Sequence, residues 1–142
     1  MASIKVSGTI PGPIAAVWAV AGDFGGIANW VPALKASILA PESKGTSVAD
    51  MRQCDIDDGP SLVETQTARS DADCTYTYAI PAGPLPMKNY ESTISLETEG
   101  EQTKLEWSAT FDPDPGAEEE LTAMITGVYQ AGIDTLRQRF GG

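Results

Sequence analysis

The chain has 142 residues, 42% of them apolar and 20% charged, which excludes disorder and gives one domain a core that needs no metal or disulfide staple. Its formal net charge of -11 repels phosphate backbones and anionic lipid surfaces, so no nucleic-acid partner is expected. Histidine is absent, which removes His triads, His-metal clusters and imidazole bases and leaves acid-base chemistry to Asp, Glu, Tyr, Cys or Lys.

The first element is a strand over residues 4–10, with Ile4, Val6, Gly8 and Ile10 on one side and Lys5, Ser7 and Thr9 on the other. Pro13 then opens a helix whose stripe is Ile14, Val17, Trp18 and Ala21. Gly22 stops it, and Asp23 is placed to cap a second short helical turn. Short strands follow over residues 34–39 and 46–56, then a turn over 57–60 and a strand over 62–69. Residues 74–80 alternate, with Tyr76, Tyr78 and Ile80 on one face. The stretch 81–87 holds three prolines and reads as an exposed loop.

Residues 89–97 and 103–111 form a hairpin around Gly100, with Leu105, Trp107, Ala109 and Phe111 sharing a face. After a Pro-rich break, residues 117–140 form one long helix with a stripe of Leu121, Met124, Ile125, Val128, Gly132, Leu136 and Phe140. Glu118, Glu119 and Glu120 open it and Arg137 and Arg139 close it, an order that complements the helix dipole.

This pattern predicts a single α+β domain over residues 1–142 with a helix-grip fold. A seven-stranded curved antiparallel sheet wraps around the long C-terminal helix, with two short helices after the first strand. Cys54 and Cys74 fall on strands with another between them, about 9.6 Å apart, too far for a bridge. Residues 1–20 lack a basic start followed by a sustained apolar stretch, and no run has the roughly 18 apolar residues of a membrane helix. The expected location is the cytoplasm, without membrane insertion; monomer and dimer are both open.

Strand parity marks a candidate site. Leu62, Glu64, Gln66 and Ala68 alternate on one face, so an inward Leu62 implies an inward Glu64. A buried carboxylate is a candidate general acid or base. The alternative is a Glu64 that points outward or pairs with Arg52 or Arg69. Tyr78 and Tyr90 can donate hydrogen bonds to a ligand carbonyl or hydroxyl from an apolar wall. Met51, Met87 and Met124 read as adaptable lining or core filling, with Val128 on the helix stripe beside Met124. Trp107 can stack on a flat ligand or fill the core. Gly132 leaves space beneath the helix or permits close packing. No metal ligand set and no cofactor motif is present: the glycine-rich segment 22–26 lacks the Lys-Ser/Thr ending of a phosphate loop, and residues 55–59 hold too few ligands for calcium.

The β-α-α-β6-α order, the segment 22–32, the Pro-rich 83–90 and the hairpin 104–113 resemble the START/Bet v 1-like (SRPBCC) superfamily, within it the bacterial polyketide cyclase/dehydratase-like group. More distantly, Glu64 and Asn89-Tyr90 are similar to a pattern of the plant abscisic acid receptors. The resemblance implies that Glu64, Tyr78, Tyr90 and Ser92 line a ligand cavity and that Trp30 lies at its rim. It also implies that Phe24 packs the small helices onto the sheet and that residues 25–29 form a lid hinge; 55–59 and 85–87 match the receptors' gate and latch in position, but the gate sequence differs entirely, so gated signalling does not carry over. The receptors' anchoring lysine falls on Val31, and two further cavity residues fall on Trp107 and Gly132, so the cavity is not tuned for an acidic ligand.

Two functional readings follow. The first is a module that binds a small, largely hydrophobic molecule, aromatic or polyketide-like, between the sheet and the long helix. The second is a cofactor-free cyclase, aromatase or dehydratase in which Glu64 moves the proton and Tyr78 and Tyr90 donate hydrogen bonds.

Overall fold

The computed structural model describes residues 1–56, 59, 61–81 and 85–142. Strand β1 is Ala2–Ile10, followed by helix α1 at Ile14–Ala21 and a 3₁₀ segment at Phe24–Asn29. Strands β2 to β7 are Leu34–Leu39, Met51–Ile56, Ser61–Ser70, Thr75–Ala79, Met87–Glu99 and Gln102–Pro113, and helix α2 is Glu118–Arg139. The strands form one antiparallel sheet in the order β1-β7-β6-β5-β4-β3-β2. The sheet curves and α2 lies in its grip, as the element pattern predicts.

Chain order nearly equals spatial order in this sheet because β2 to β7 pair antiparallel with their neighbours in sequence and need no crossover. The exception is β1, which closes the sheet on β7 with Ala2 opposite Phe111 and Ile10 opposite Thr103. Its alternation holds, with Ala2, Ile4, Val6 and Ile10 buried. At Gly8 a Cβ would lie 2.6 Å from the Ile133 side chain, so α2 crosses β1 where β1 has no side chain. Gly100, with φ of 63°, turns β6 into β7, a conformation glycine adopts without a Cβ clash.

Three local features depart from simple alternation. β3 begins at Met51 rather than at residue 46. The preceding segment is wound around Asp50, whose Oδ2 accepts the backbone N–H groups of Lys44, Gly45, Thr46 and Ser47. Desolvation opposes the Asp50 charge, yet these backbone donors hold its carboxyl below the ordinary value. The Gln66 side chain ties the same loop to β4 by donating to the carbonyls of Gly45 and Ser47.

The second departure is a bulge in β4 between Gln66 and Ala68. An extra residue reverses strand parity. Leu62, Glu64 and Gln66 are buried as alternation predicts, but Ala68 is exposed and Arg69 turns inward instead. Arg69 donates to the Gly22 carbonyl and to Gln66 Oε1 and lies over the Trp18 ring. Trp18 is therefore half-buried at the edge of the core, its Nε1–H donating to Asp71.

The third is a bulge in β6 between Lys88 and Glu91, where Asn89 adopts φ of 55° and its side chain donates to Asp112. It lets both Met87 and Tyr90 face the concave side although they are three residues apart.

The 3₁₀ segment has Asp23 at its N-cap position, without a side-chain capping bond. Pro13 precedes α1 as its N-cap rather than standing at its first position. Phe24 packs the small helices onto the sheet, edge-on to Tyr76. Ser37 of β2 pins the segment, accepting from Ala28 N–H and donating to the Gly25 carbonyl. On α2 the buried face is Leu121, Ile125, Tyr129, Gly132, Ile133 and Leu136; the predicted stripe omitted Tyr129 and Ile133. Met124 is exposed and Val128 half-buried on its flank. Both cysteines are free thiols. No described helix is long and apolar enough to cross a membrane.

Candidate functional site

The concave face does not close completely against α2. A cavity of about 310 Å³ remains between the middle of the sheet and the N-terminal half of the helix. Ile27, Val31, Ala33 and Leu34 from the 3₁₀ segment and the chain leading into β2 form one wall. Ile56, Leu62, Glu64, Tyr78, Tyr90 and Trp107 form the sheet side, and Met124, Ile125, Val128 and Tyr129 the helix side. Ile80, Leu85 and Met87 line the third side, and the exposed Pro32 and Met124 mark the mouth. The space exists because β3, β4 and β5 curve away from α2, whose own packing is against β1 and β7.

One polar feature is an ion pair between Glu64 in the sheet-side wall and Arg52 behind it. Arg52 and Glu64 are direct cross-strand neighbours on β3 and β4. Arg52 Nε donates to Glu64 Oε1 at 2.7 Å, and the Cys54 thiol donates to the same oxygen at 3.6 Å. Arg52 Nη2 also lies 2.7 Å from Oε1 but makes no aligned hydrogen bond. Arg52 Nη1 donates to the Phe24 carbonyl and the Tyr76 hydroxyl, and the guanidinium is stacked between the rings of Phe24 at 4.1 Å and Tyr78 at 4.6 Å. Burial works against the Arg52 charge, but the electron-rich groups around it, Tyr76 and Glu64 foremost, raise its pKa above the ordinary value. Burial, with the adjacent Glu64, pushes the Cys54 thiol up to about 12, so this cysteine stays a protonated donor.

The second polar feature is a chain of hydroxyls. Tyr90 and Tyr129 are hydrogen-bonded through their hydroxyls. Ser92 Oγ bonds the Tyr129 hydroxyl at 2.8 Å, donates to the Ser108 carbonyl and accepts Trp107 Nε1–H at 2.9 Å. Trp107 in turn stacks flat on Tyr129, ring centres 3.9 Å apart and planes within 8°. Burial raises Tyr78, Tyr90 and Tyr129 well above the usual phenol range, so all three stay protonated and able to donate near neutral pH.

The structure brings together most of the residues singled out in the sequence. Glu64, Tyr78, Tyr90, Met87, Trp107, Met124 and Val128 all border the cavity. Four take other places. Met51 points to the outer face of β3, because Arg52 and Cys54 hold the inward positions of that strand. Ser92 lies one layer back, where it orients Tyr129 and Trp107 rather than facing the space. Trp30 is not at the rim: it is 1% exposed and packs on Trp107 at 5.2 Å.

Gly132 leaves no room beneath the helix. A Cβ there would lie 3.1 Å from Trp107 and 3.2 Å from Trp30, so the two indoles already fill that space. Gly132→Leu is accordingly expected to destabilise the fold by about 1–3 kcal/mol in chemical denaturation, despite the better helix propensity of leucine.

Residues 85–87 border the cavity through Leu85 and Met87. Of the segment 55–59, Ile56 does so, while residues 57 and 58 of the predicted turn, with Pro60, lie outside the described residues, as do 82–84 of the Pro-rich loop. Tyr129 was missed; its spacing of four from Ile125 and eight from Leu121 was the available signal. Among the described residues, no three Cys, Asp or Glu side chains gather in a metal-holding group.

Comparison with known structures agrees with this architecture. The chain is similar to the protein XoxI from Bacillus cereus, with 32% identity, 99% of this chain and 96% of that one covered, and a TM-score of 0.88. It is similar to a protein from Bacillus thuringiensis with 31% identity, 98% of both chains covered and a TM-score of 0.86. A protein from Thermobifida fusca aligns with 28% identity over 99% of this chain and 94% of that one, with a TM-score of 0.88. No curated protein matches by sequence. Residues 1–141 match the family described as polyketide cyclase / dehydrase and lipid transport. With the grip of sheet on helix and a hollow between them, the chain belongs to this polyketide cyclase/dehydrase and lipid transport family, of the SRPBCC type.

Proposed function

We propose that the protein binds one small, largely hydrophobic molecule, aromatic or polyketide-like, in the cavity between the sheet and α2. The observation that carries this reading is the cavity itself: about 310 Å³, walled mainly by aliphatic and aromatic side chains, with Tyr78, Tyr90 and Glu64 at one side. That volume is at the small end of the range for ligand sites, and an apolar wall with few convergent polar groups is their usual composition. Apolar burial supplies the affinity, Trp107 and Met87 offer a flat and an adaptable surface, and the tyrosine hydroxyls orient a carbonyl or hydroxyl of the guest. The matched family description points the same way. The alternative, with Glu64 moving a substrate proton, would have to run through Oε2, because Oε1 already accepts from Arg52 and Cys54.

The test is a cavity-filling substitution. Val128 borders the space from the helix flank and is half-buried, so a larger side chain there enters the cavity without displacing the core. The neutral fluorophore N-phenyl-1-naphthylamine is expected to bind the wild-type protein with enhanced emission. Val128→Trp is expected to weaken it by about 2 kcal/mol, roughly thirtyfold, while the thermal midpoint changes little. Equal affinity in the two proteins would place the fluorophore elsewhere and remove the reading.

A further inference from the structure

We propose that Glu64 is a built-in carboxylate occupying an anion seat on Arg52, and that this occupancy restricts the cavity to uncharged guests. The proposal rests on the reading of the cavity as a binding site and names the class of molecule it takes. Arg52 is fully buried and does not itself border the space, whereas Glu64 does. The guanidinium cannot swing away, because it is stacked between Phe24 and Tyr78 and tied to the Phe24 carbonyl and the Tyr76 hydroxyl. Two of its nitrogens face Glu64 Oε1 at 2.7 Å, and one of them, Nη2, has no aligned hydrogen bond among the described residues.

A cation held this rigidly, with a donor to spare, is an anion site whose occupant is supplied by the neighbouring strand. With Glu64 in place the pair carries no net charge, and the member that borders the cavity is the carboxylate. A guest carboxylate would meet the Glu64 carboxylate at the wall and find the Arg52 cation behind it already used. With Glu64 shortened, the vacated volume joins the cavity and exposes Nε and Nη2 to the guest, which can then supply the missing carboxylate.

The experiment compares 2-naphthalenemethanol with 2-naphthoate, two guests of one ring system that differ in charge, by titration calorimetry. Wild type is expected to prefer the alcohol by about tenfold or more, and Glu64→Ala to reverse the order by gaining about tenfold or more for naphthoate. The double variant Arg52→Met with Glu64→Leu is expected to bind the alcohol and to show no gain for naphthoate, which assigns the gain to Arg52. Should Glu64→Ala fail to fold, Glu64→Gln removes the charge at constant shape and is expected to narrow the preference for the alcohol. A wild type that takes naphthoate as well as the alcohol overturns the proposal. So does an unchanged preference in the folded Glu64 variant; in both cases the cavity remains a binding site. If wild type binds neither guest, the cavity reading falls and the proposal with it.

Discussion

Arg52→Ala is expected to be among the most damaging single substitutions in the chain, lowering stability by about 3–5 kcal/mol, because it leaves Glu64 buried without its counter-charge. The Arg52 side chain is 0% exposed and Glu64 only 9%, so solvent cannot replace the lost partner. The variant also gives up the stacking of the guanidinium on Phe24 and Tyr78, a desolvated cation-π contact of about 2 kcal/mol or more. For a chain of this length the loss is a fall in melting temperature of roughly 10–15 °C, measurable by calorimetry. Arg52→Met with Glu64→Leu removes both charges together and should recover most of it, since an apolar pair of similar volume replaces a buried ion pair at little cost. A double variant as unstable as Arg52→Ala would mean that packing around the guanidinium, rather than charge compensation, carries the effect.

Trp107→Ala is expected to cost a similar amount, about 3–5 kcal/mol, by a different route. The indole is 1% exposed, stacks on Tyr129, touches Trp30 and donates to Ser92. It is also the partition between the solid core and the cavity, so deleting it enlarges an existing hollow that neighbours cannot collapse to fill. Ser92 keeps its bonds to Tyr129 and to the Ser108 carbonyl, which confines the loss to packing and the indole contact. Chemical denaturation measures it, and a saturating bulky neutral guest should raise the midpoint of the variant more than that of wild type. A loss below about 1 kcal/mol would show the site to be collapsible and the partition unimportant.

Local signals in the chain were enough to read the architecture. Period-two alternation located the strands, the 3.6-residue stripe located α2, and Gly100 marked the β6–β7 turn. The inward Glu64 was legible because nothing interrupts alternation between Leu62 and Gln66. One bulge beyond, the same rule failed: it placed Ala68 inside and gave no reason for Arg69 to be there. Met51 was misplaced because β3 turns Arg52 and Cys54 inward, and what makes an inward arginine tolerable is Glu64 on the next strand. Trp30 was misread as a rim residue, and of the two readings left open for Gly132 the close-packing one holds, because Trp30 and Trp107 fill the space beneath it.

By itself, then, the sequence determined the helix-grip fold and the inward face of its strands, because these follow from periodicity and turn chemistry along a single segment; the cavity and Tyr90 in its wall were read from the family resemblance. The tertiary structure alone decided that Arg52 rather than Arg69 meets Glu64, that Tyr129 joins Tyr90, and that two indoles occupy the space at Gly132. Those outcomes depend on register between strands, on bulges that reset parity, and on the fit of side chains brought together from distant segments, none of which is encoded in a local pattern.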